Sequence, residues 1–404
     1  MTDRKVDVLK EDYPGIEADT LLELLAACDG SVAATRSMID GSFPTPQQKR
    51  KAGALYQTSI TSLLAPVSKY KKLKVVSGGK KVITLNTVEE VDQHLSPYVS
   101  FHKSFLPPDL ANRILKYLMT QTDKVSPNEF YLFDNLCKAN HSLGFFHTPD
   151  LDTVYENLIY NGKKSRSNLY NKDFEDVSRF VKDFMNNKII PNVKRLPFQS
   201  TETWNSDVCV VNYYESLSNN LDWHSDRMSH IGPHNFIVSI SLGATREFRL
   251  RKNYTDGTDP SPIYSIIIPH NSMVIMQAGC QEEYRHSVNS LRTALQVNPI
   301  SGAARFNLTF RFYPLQFIKQ LPRCECNITM TLRRSFKSLE TRGKYFWSCE
   351  NKYQNKDCGC FYWADFDNIE NNFKAESEET ASQWIAPEDY AKLSYLQNLN
   401  DNKK

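Results

Sequence analysis

From residue 208 onward, apolar and polar positions alternate in short runs separated by turn residues. The runs Val208–Tyr214, Phe236–Leu242, Glu247–Arg251, Ile263–Ile268, Met273–Gln277 and Phe306–Tyr313 predict strands, with turn signals such as Asp256-Gly257 and Pro269–Asn271 between them. The last run is unusual. Arg305, Asn307, Thr309 and Arg311 fall on one face, and Phe306, Leu308, Phe310 and Phe312 on the other. Its apolar face packs against a core, and its polar face carries two guanidiniums. That face suits a small dicarboxylate, because Arg grips carboxylates through two parallel hydrogen bonds. Many short strands in a chain of 404 residues predict a double-stranded β-helix, or jelly roll. Helical spacing over Leu110–Met119 and Phe174–Met185 predicts helices that brace its outside. Between them, Asn128–Tyr170 is irregular and rich in aromatics and Asn.

Upstream the pattern changes twice. Residues 1–42 read as a small helical bundle with an apolar face of Leu21, Leu22, Leu24, Leu25 and Cys28, broken at Gly30-Ser31 and resumed by Val32, Ala33, Met38 and Ile39. Residues 43–85 are rich in Pro, Ser and Lys without periodicity and read as a flexible linker. Charge sharpens this division. The first segment holds nine acids against four bases, and the second holds nine bases and no acid, which suggests two different partners, the second polyanionic. A solvated tether with no ligand fits the second segment as well. No apolar run approaches the ~20 residues of a membrane span, and no secretory signal opens the chain.

His224-x-Asp226 places an imidazole beside a carboxylate. A second, distant His286 can complete a facial triad on a mononuclear ferrous ion and leave coordination positions open. His230, His234 and His270 are decoys of the same residue type. With Asn212-Tyr213-Tyr214 and Arg-Phe-Asn-Leu-Thr-Phe-Arg at 305–311, these motifs resemble the AlkB family of Fe(II)/2-oxoglutarate dioxygenases over roughly 97–318. The resemblance implies Fe(II) on His224, Asp226 and His286, with 2-oxoglutarate and O2 as cosubstrates. It implies that Arg305 holds the distal carboxylate of 2-oxoglutarate and Arg311 the carboxylate beside the keto group. Asn212, Tyr214 and Asn307 would hydrogen-bond the same molecule. It further implies oxidative removal of N-alkyl groups from bases of DNA, reached in a single strand or after flipping. Tyr160 stands where relatives stack an aromatic on the extruded base, with a structural tyrosine as the alternative, and Trp223 would exclude water beside the metal. Several DNA-repair relatives carry an acid just after the metal-binding Asp; Arg227 and Met228 follow Asp226 here, which leaves the charge of the preferred base open.

Five of the nine cysteines lie between Cys324 and Cys360, a cluster that reads as metal binding before disulfides. Cys324, Cys326, Cys349 and Cys358 fit a tetrahedral zinc, with Cys360 as the rival fourth ligand. Gly343-Lys-Tyr-Phe346 and Cys358-Gly-Cys-Phe-Tyr-Trp363 resemble a GRF zinc finger over 322–366, which implies single-strand binding by Arg333, Arg334, Lys337, Arg342 and Lys344 among Tyr345, Phe346 and Trp347. A purely structural zinc knob is the alternative. Residues 1–42 resemble a CUE or UBA-type module, with Tyr13-Pro14 and Met38-Ile39 in its two apolar motifs, and so imply ubiquitin as a partner; a three-helix packing unit is the alternative. Gln57-x-x-Ile60-x-x-Leu63-Leu64 faintly resembles a sliding-clamp peptide, with leucines in place of its two terminal aromatics; a chance amphipathic turn is the alternative. The acidic and polar segment 367–404 names no role.

The expected architecture is therefore a helical module (1–42), a basic linker (43–85), a jelly-roll dioxygenase (86–320), a zinc-binding β module (322–366) and a tail (367–404). The nucleus is the expected location, since the basic linker suits nuclear import. Two rival functions stand beside DNA dealkylation: an inactive DNA- and ubiquitin-binding adaptor, and an RNA demethylase or protein oxygenase with the same iron site.

Overall fold

The computed structural model describes residues 2–13, 21, 25, 32, 35, 36, 39, 81–132, 135–151, 159–160, 163–164, 167–253, 261–336, 340–349 and 358–390. The chain divides into two compact units, Met1–Lys80 and Lys81–Lys404. In the first, the helix Thr2–Asp12 contributes Val6 and Leu9 to a buried set that includes Leu21, Leu25 and Ile39. Ile39, expected in a ligand-facing motif, is only 2% exposed and serves packing. The clamp-like segment Gln57–Leu64 lies outside the described residues.

The second unit is built on strands β1 (Val82–Leu85), β2 (Val99–His102), β3 (Ser126–Leu132), β4 (Asn135–His147), β5 (Ile159–Tyr160), β6 (Lys163–Lys164), β7 (Ser167–Leu169), β8 (Val208–Tyr214), β9 (Leu221–His224) and β10 (Ile237–Gly243). They continue with β11 (Arg246–Lys252), β12 (Ile263–Ile268), β13 (Ser272–Met276), β14 (Tyr284–Val288), β15 (Arg305–Arg311), β16 (Thr331–Arg334), β17 (Tyr345–Ser348) and β18 (Phe361–Trp363). One large sheet runs β2-β13-β10-β15-β8-β4-β3, with β7 beside β4; a smaller one runs β1-β12-β11-β14-β9. Between β8 and β15 the chain passes repeatedly from one sheet to the other, which is jelly-roll topology.

Alternation along β15 sets what faces where. Phe306, Leu308 and Phe310 are at most 1% exposed and share a cluster with Cys209 and Val211 of β8, Val238 and Ile240 of β10, and two helices. These helices are Pro108–Met119 and Lys172–Phe184, at the positions their spacing predicts. The first opens on Pro108, which fits a first helical turn. The second is capped by Asn171, whose side chain accepts the Phe174 N–H at 2.9 Å. The Phe174 ring meets Phe310 edge-on, with centroids 6.3 Å apart. The outer face of the large sheet is thus the apolar one, and the polar face of β15 turns inward.

The smaller sheet buries Phe248, Leu250, Ile266 and Ile268 in a second cluster with Val91 and Leu95 of the helix Val88–Leu95, which carries a capping box between Thr87 and Glu90. This cluster runs without a break into the C-terminal three-stranded sheet β16-β17-β18 through Leu332, Tyr345 and Trp347. Residues 367–390, set apart in the sequence as a tail, supply Phe373, Trp384 and Ala386 to it. Asn128–Tyr170, read as irregular, contains the thirteen-residue β4; its Asn-rich composition hides a strand that β8 holds by cross-strand pairing. No helix among the described residues is long and apolar enough to cross a membrane.

Replacing Phe310 with Ala is expected to cost ~3–5 kcal/mol, the loss typical of a large ring from a closed core. Urea unfolding checks this; a change below ~1 kcal/mol would mean the outer cluster does not hold the sheet.

Candidate active site

His224 ends β9 and His286 sits in the middle of β14, directly opposite it in the ladder. Their ring centroids are 4.2 Å apart. Asp226 follows β9 by two residues, with Oδ1 at 3.7 Å from His224 Nε2 and 4.0 Å from His286 Nε2. One ligand atom from each residue lies within 4.8 Å of the others, a grouping able to hold a metal ion. Secondary contacts aim the three. His224 Nδ1 lies 2.7 Å from the Asp222 carbonyl, so Nδ1 carries the proton and Nε2 offers its lone pair. The Asp226 N–H donates to Gln281 Oε1 at 2.7 Å, and Ser225 Oγ donates to the Tyr284 carbonyl at 2.8 Å.

Arg311 reaches across from β15 and donates through Nε and Nη2, both at 2.7 Å, to Asp226 Oδ2. Oδ1 is left for the histidine side. Burial alone would raise the Asp226 carboxyl, but the Arg311 guanidinium, aided by His286 and His224, holds it well below the usual carboxylate range. Burial pushes His286 down to about 3, so it presents a neutral imidazole.

Behind this group, the inner faces of β8, β10 and β15 form a polar wall. Arg305 pairs across the ladder with Tyr214, and Asn307 with Asn212 and Ser241. Asn307 accepts from Ser239 Oγ at 2.7 Å and donates to Thr309 Oγ1 at 2.6 Å; Asn212 donates to the same oxygen at 3.3 Å. Arg305 is 1% exposed and gives Nη2 to Ser241 Oγ at 2.8 Å, while its Nε and Nη1 have no hydrogen-bond partner. Buried guanidinium N–H groups without acceptors are uncommon, and an anionic ligand resolves them. Burial pushes Arg305 down to about 10, which leaves it cationic at neutral pH. The wall thus fits a carboxylate deep in the barrel, and the His–Asp–His group fits a divalent ion at its mouth.

The structure brings together all eight residues expected for iron and 2-oxoglutarate. Trp223 is not among them. Strand alternation turns it to the opposite face of β9, where the Arg251 guanidinium stacks on its ring at 4.5 Å. It does not shield the histidines as expected. The Tyr160 backbone pairs with Lys163 in the short β5–β6 hairpin; its side chain is not described.

Two inner residues had no sequence signal. His141 of β4 is 6% exposed and stacks on Tyr214 at 5.4 Å, 15° from parallel; burial pushes it down to about 4. Arg246 of β11 is fully buried and donates to the carbonyls of Ser216, Asn219 and Asn289, with its guanidinium 5.4 Å from the Tyr214 ring. The guanidiniums of Arg246 and Arg305 thus both lie close to the Tyr214 ring. A lone His within Asn-rich sequence and one Arg in a charged strand look like surface residues until the fold places them.

A second ligand group lies in the C-terminal module, where Cys324, Cys326, Cys349 and Cys358 each have Sγ within 4.8 Å of the others. Cys324 and Cys349 Sγ are 3.7 Å apart, close to the ~3.8 Å edge of a tetrahedron with Zn–S bonds of about 2.3 Å. The Cys360 backbone N–H holds Cys358 down to about 6, and the hydrogen bond between the Cys326 and Cys358 side chains pushes Cys326 up to about 12. Cys360 Sγ accepts the Glu325 N–H at 3.5 Å. Of the finger residues expected to face a nucleic acid, several do not. Tyr345 and Trp347 are fully buried, Arg334 is 5% exposed, Arg342 pairs with Asp389 and Lys344 with Glu378. Lys337 lies outside the described residues. Strand alternation places Arg333, Phe346 and Trp363 abreast on the other face, with Phe361 47% exposed beside them.

The family model of the 2OG-Fe(II) oxygenase superfamily matches residues 99–311, and the chain belongs to that superfamily. Its members use Fe(II), 2-oxoglutarate and O2, the group and cosubstrates that the triad and the polar wall fit. Among relatives, the alpha-ketoglutarate-dependent dioxygenase alkB homolog 3 of Mus musculus is 33% identical over 125 residues, 30% of this chain and 41% of that protein. The DNA oxidative demethylase ALKBH2 of Arabidopsis thaliana is 28% identical over 120 residues, 25% of this chain and 36% of that protein. The chain thus matches about two fifths of the length of these curated relatives. Among solved structures, that of OsALKBH1 aligns over 54% of this chain and 100% of its own, at 18% identity and a TM-score of 0.35.

Substituting Arg305 by Met is expected to weaken 2-oxoglutarate binding by about a hundredfold, ~3 kcal/mol, with Mn(II) affinity unchanged; calorimetric titration checks both, and unchanged 2-oxoglutarate affinity would place the carboxylate elsewhere. A pH effect follows from the buried imidazoles. His141 and His286 are pushed by burial from 6.5 to about 4 and about 3. The unfolded chain therefore binds more protons below 6.5, and their stabilising contribution is complete above that value and lost as pH falls towards 4. Metal-free protein is expected to unfold at lower urea at pH 5 than at pH 7, and His141→Gln to reduce the difference; equal midpoints would contradict the buried neutral state.

Proposed function

We propose that this oxygenase removes alkyl groups from nitrogen atoms of nucleobases in DNA, with His224, Asp226 and His286 as the Fe(II) ligands. The observation that carries the reading is the pairing of that triad with a buried, partly unpaired Arg305 on one polar barrel wall. When bound, the ferrous ion with 2-oxoglutarate and dioxygen supplies the oxidising power to hydroxylate an alkyl carbon attached to nitrogen, after which the carbon leaves as an aldehyde.

The chain's own residues do the rest. Arg305 and Tyr214 take the distal carboxylate of 2-oxoglutarate, and Asn212 and Asn307 orient it. Arg311 takes the carboxylate beside the keto group while keeping its grip on Asp226, so the cosubstrate and the metal ligand share one guanidinium. His141, neutral and stacked on Tyr214, keeps that phenol at the correct depth. Such positioning is what a protein contributes when a cofactor carries the difficult step. DNA as the substrate is supported by the matched DNA oxidative demethylase and by the aromatic and cationic face of the C-terminal sheet, half-buried except at the exposed Phe361. Arg333 with Phe346, Phe361 and Trp363 offers a stacking surface for a single strand. On this reading the four thiolates bind zinc and shape that face. Residues 1–42 serve ubiquitin-linked recruitment by their resemblance to CUE modules, the segment Gln57–Leu64 serves a sliding clamp, and the protein works in the nucleus.

Purified full-length protein with Fe(II), 2-oxoglutarate and N-methylated single-stranded DNA is expected to release formaldehyde, and His224→Ala to abolish both formaldehyde and succinate. Succinate without formaldehyde from DNA, but with product from RNA or a peptide, would move the chain to another oxygenase substrate. Neither product, with an active relative as control, would leave an adaptor. Phe361→Ala and Trp363→Ala are each expected to weaken single-strand binding by ~1–3 kcal/mol, read by fluorescence anisotropy; unchanged binding would make the cysteine module purely structural.

A further inference from the structure

The C-terminal module touches both segments that carry the metal ligands. The helix Met228–Ile231 begins two residues after Asp226, and its Ser229 Oγ accepts the Leu332 N–H of β16 at 2.9 Å. Met228 and Ile231 lie in the same buried cluster as Leu332 and Tyr345. The helix Cys280–Glu283 leads directly into β14 and His286. On one side, its Gln281 side chain holds the Asp226 N–H. On the other, Arg334 of β16 donates Nη1 to Glu283 Oε1 at 2.8 Å and to the Glu282 carbonyl at 3.2 Å, and Nη2 to the Trp384 carbonyl at 2.8 Å. The guanidinium also lies 5.0 Å from the Trp384 ring.

His234 closes this network. Its backbone N–H donates to Glu282 Oε1 at 2.8 Å, its Nε2 is 3.3 Å from Tyr345 Oη, and its ring meets Trp384 edge-on at 4.6 Å. Every one of these side chains is less than 9% exposed. Gly279, at φ 86°, starts the turn; a Cβ there would stand 3.1 Å from Trp384 and 3.2 Å from Tyr98, so the module is seated against the turn's backbone.

We propose that the cysteine module braces the oxygenase site, with Arg334 as the positioning residue that fixes the turn between Gln281 and His286. Removing a partner of a buried ion pair leaves a charge unmatched, and the nearest relief is movement of the turn that bears it. Because that turn holds Asp226 from one end and leads to His286 at the other, its movement separates two ligands. The inference rests on the proposed metal role of the triad.

The test uses the full-length protein and Mn(II) as the probe, with affinity read by calorimetry and amide exchange read by mass spectrometry. Arg334→Met is expected to weaken Mn(II) binding by about tenfold or more, as outer-shell changes do, and to speed exchange in 224–231 and 280–288 but not in the helix Pro108–Met119. Glu283→Gln is a milder change, and combining it with Arg334→Met is expected to keep the affinity well below wild type, because the Glu282 and Trp384 carbonyls still lack the guanidinium that ties the turn to the module; recovery of wild-type affinity in the double variant would overturn the positioning role. Arg323→Met, an exposed position of the same module, is expected to leave affinity unchanged. Equal Mn(II) affinity in wild type, Arg334→Met and Glu283→Gln would overturn the brace. Should Arg334→Met fail to fold, Glu283→Gln alone decides, by a weakened or an unchanged affinity. Wild-type protein that does not bind Mn(II), or binds it equally after His224→Ala, would instead overturn the reading of the triad.

Discussion

A guanidinium held inside a barrel with unmet hydrogen bonds is costly, and Arg305 is in that position. Desolvating a cation is tolerated only where partners surround it, and here the Tyr214 ring, Ser241 and Asn307 provide part of that company. The remainder is left for an anion. The same strand supplies Arg311, whose charge is matched within the protein by Asp226. One strand thus carries a charge that is satisfied and a charge that is not. That asymmetry separates the metal end of the barrel from the cosubstrate end.

The rest of the architecture follows from keeping that strand in register. Its other face is aromatic and apolar, and two helices close over it. A one-residue slip would turn the guanidiniums into the helices and the phenylalanines into the cavity, so burial on both sides enforces a single pairing. The smaller sheet brings the two histidines opposite each other by direct cross-strand pairing. It shares its core with the cysteine-bearing module, so the module and the oxygenase fold as parts of one packed body.

Much of this was legible in the chain. The alternation in 305–311, His-x-Asp and the cysteine spacing are local patterns, and each survives in three dimensions because the physics behind it is local. What was not legible depends on neighbours. β9 and β14 are short and half polar, so they look like loops until the ladder between His224 and His286 pairs them. His141 and Arg246 acquire meaning only from the Tyr214 ring between them and the wall. The cationic and aromatic residues of the C-terminal sheet lie close together in sequence, yet strand alternation divides them: Arg334, Tyr345 and Trp347 go to the core, and Arg333, Phe346 and Trp363 to the opposite face. Trp223 obeys the same rule, since adjacency to a ligand in a strand means the opposite face.

The most direct measurement of the central claim is a crystal structure of the full-length protein grown without oxygen in Mn(II) and 2-oxoglutarate, with the ion located by anomalous scattering. The expected result is one ion bonded to His224, Asp226 and His286, with the cosubstrate's far carboxylate on Arg305 Nε and Nη1. An ion bound elsewhere, or a cosubstrate that leaves those two nitrogens without a partner, would contradict it.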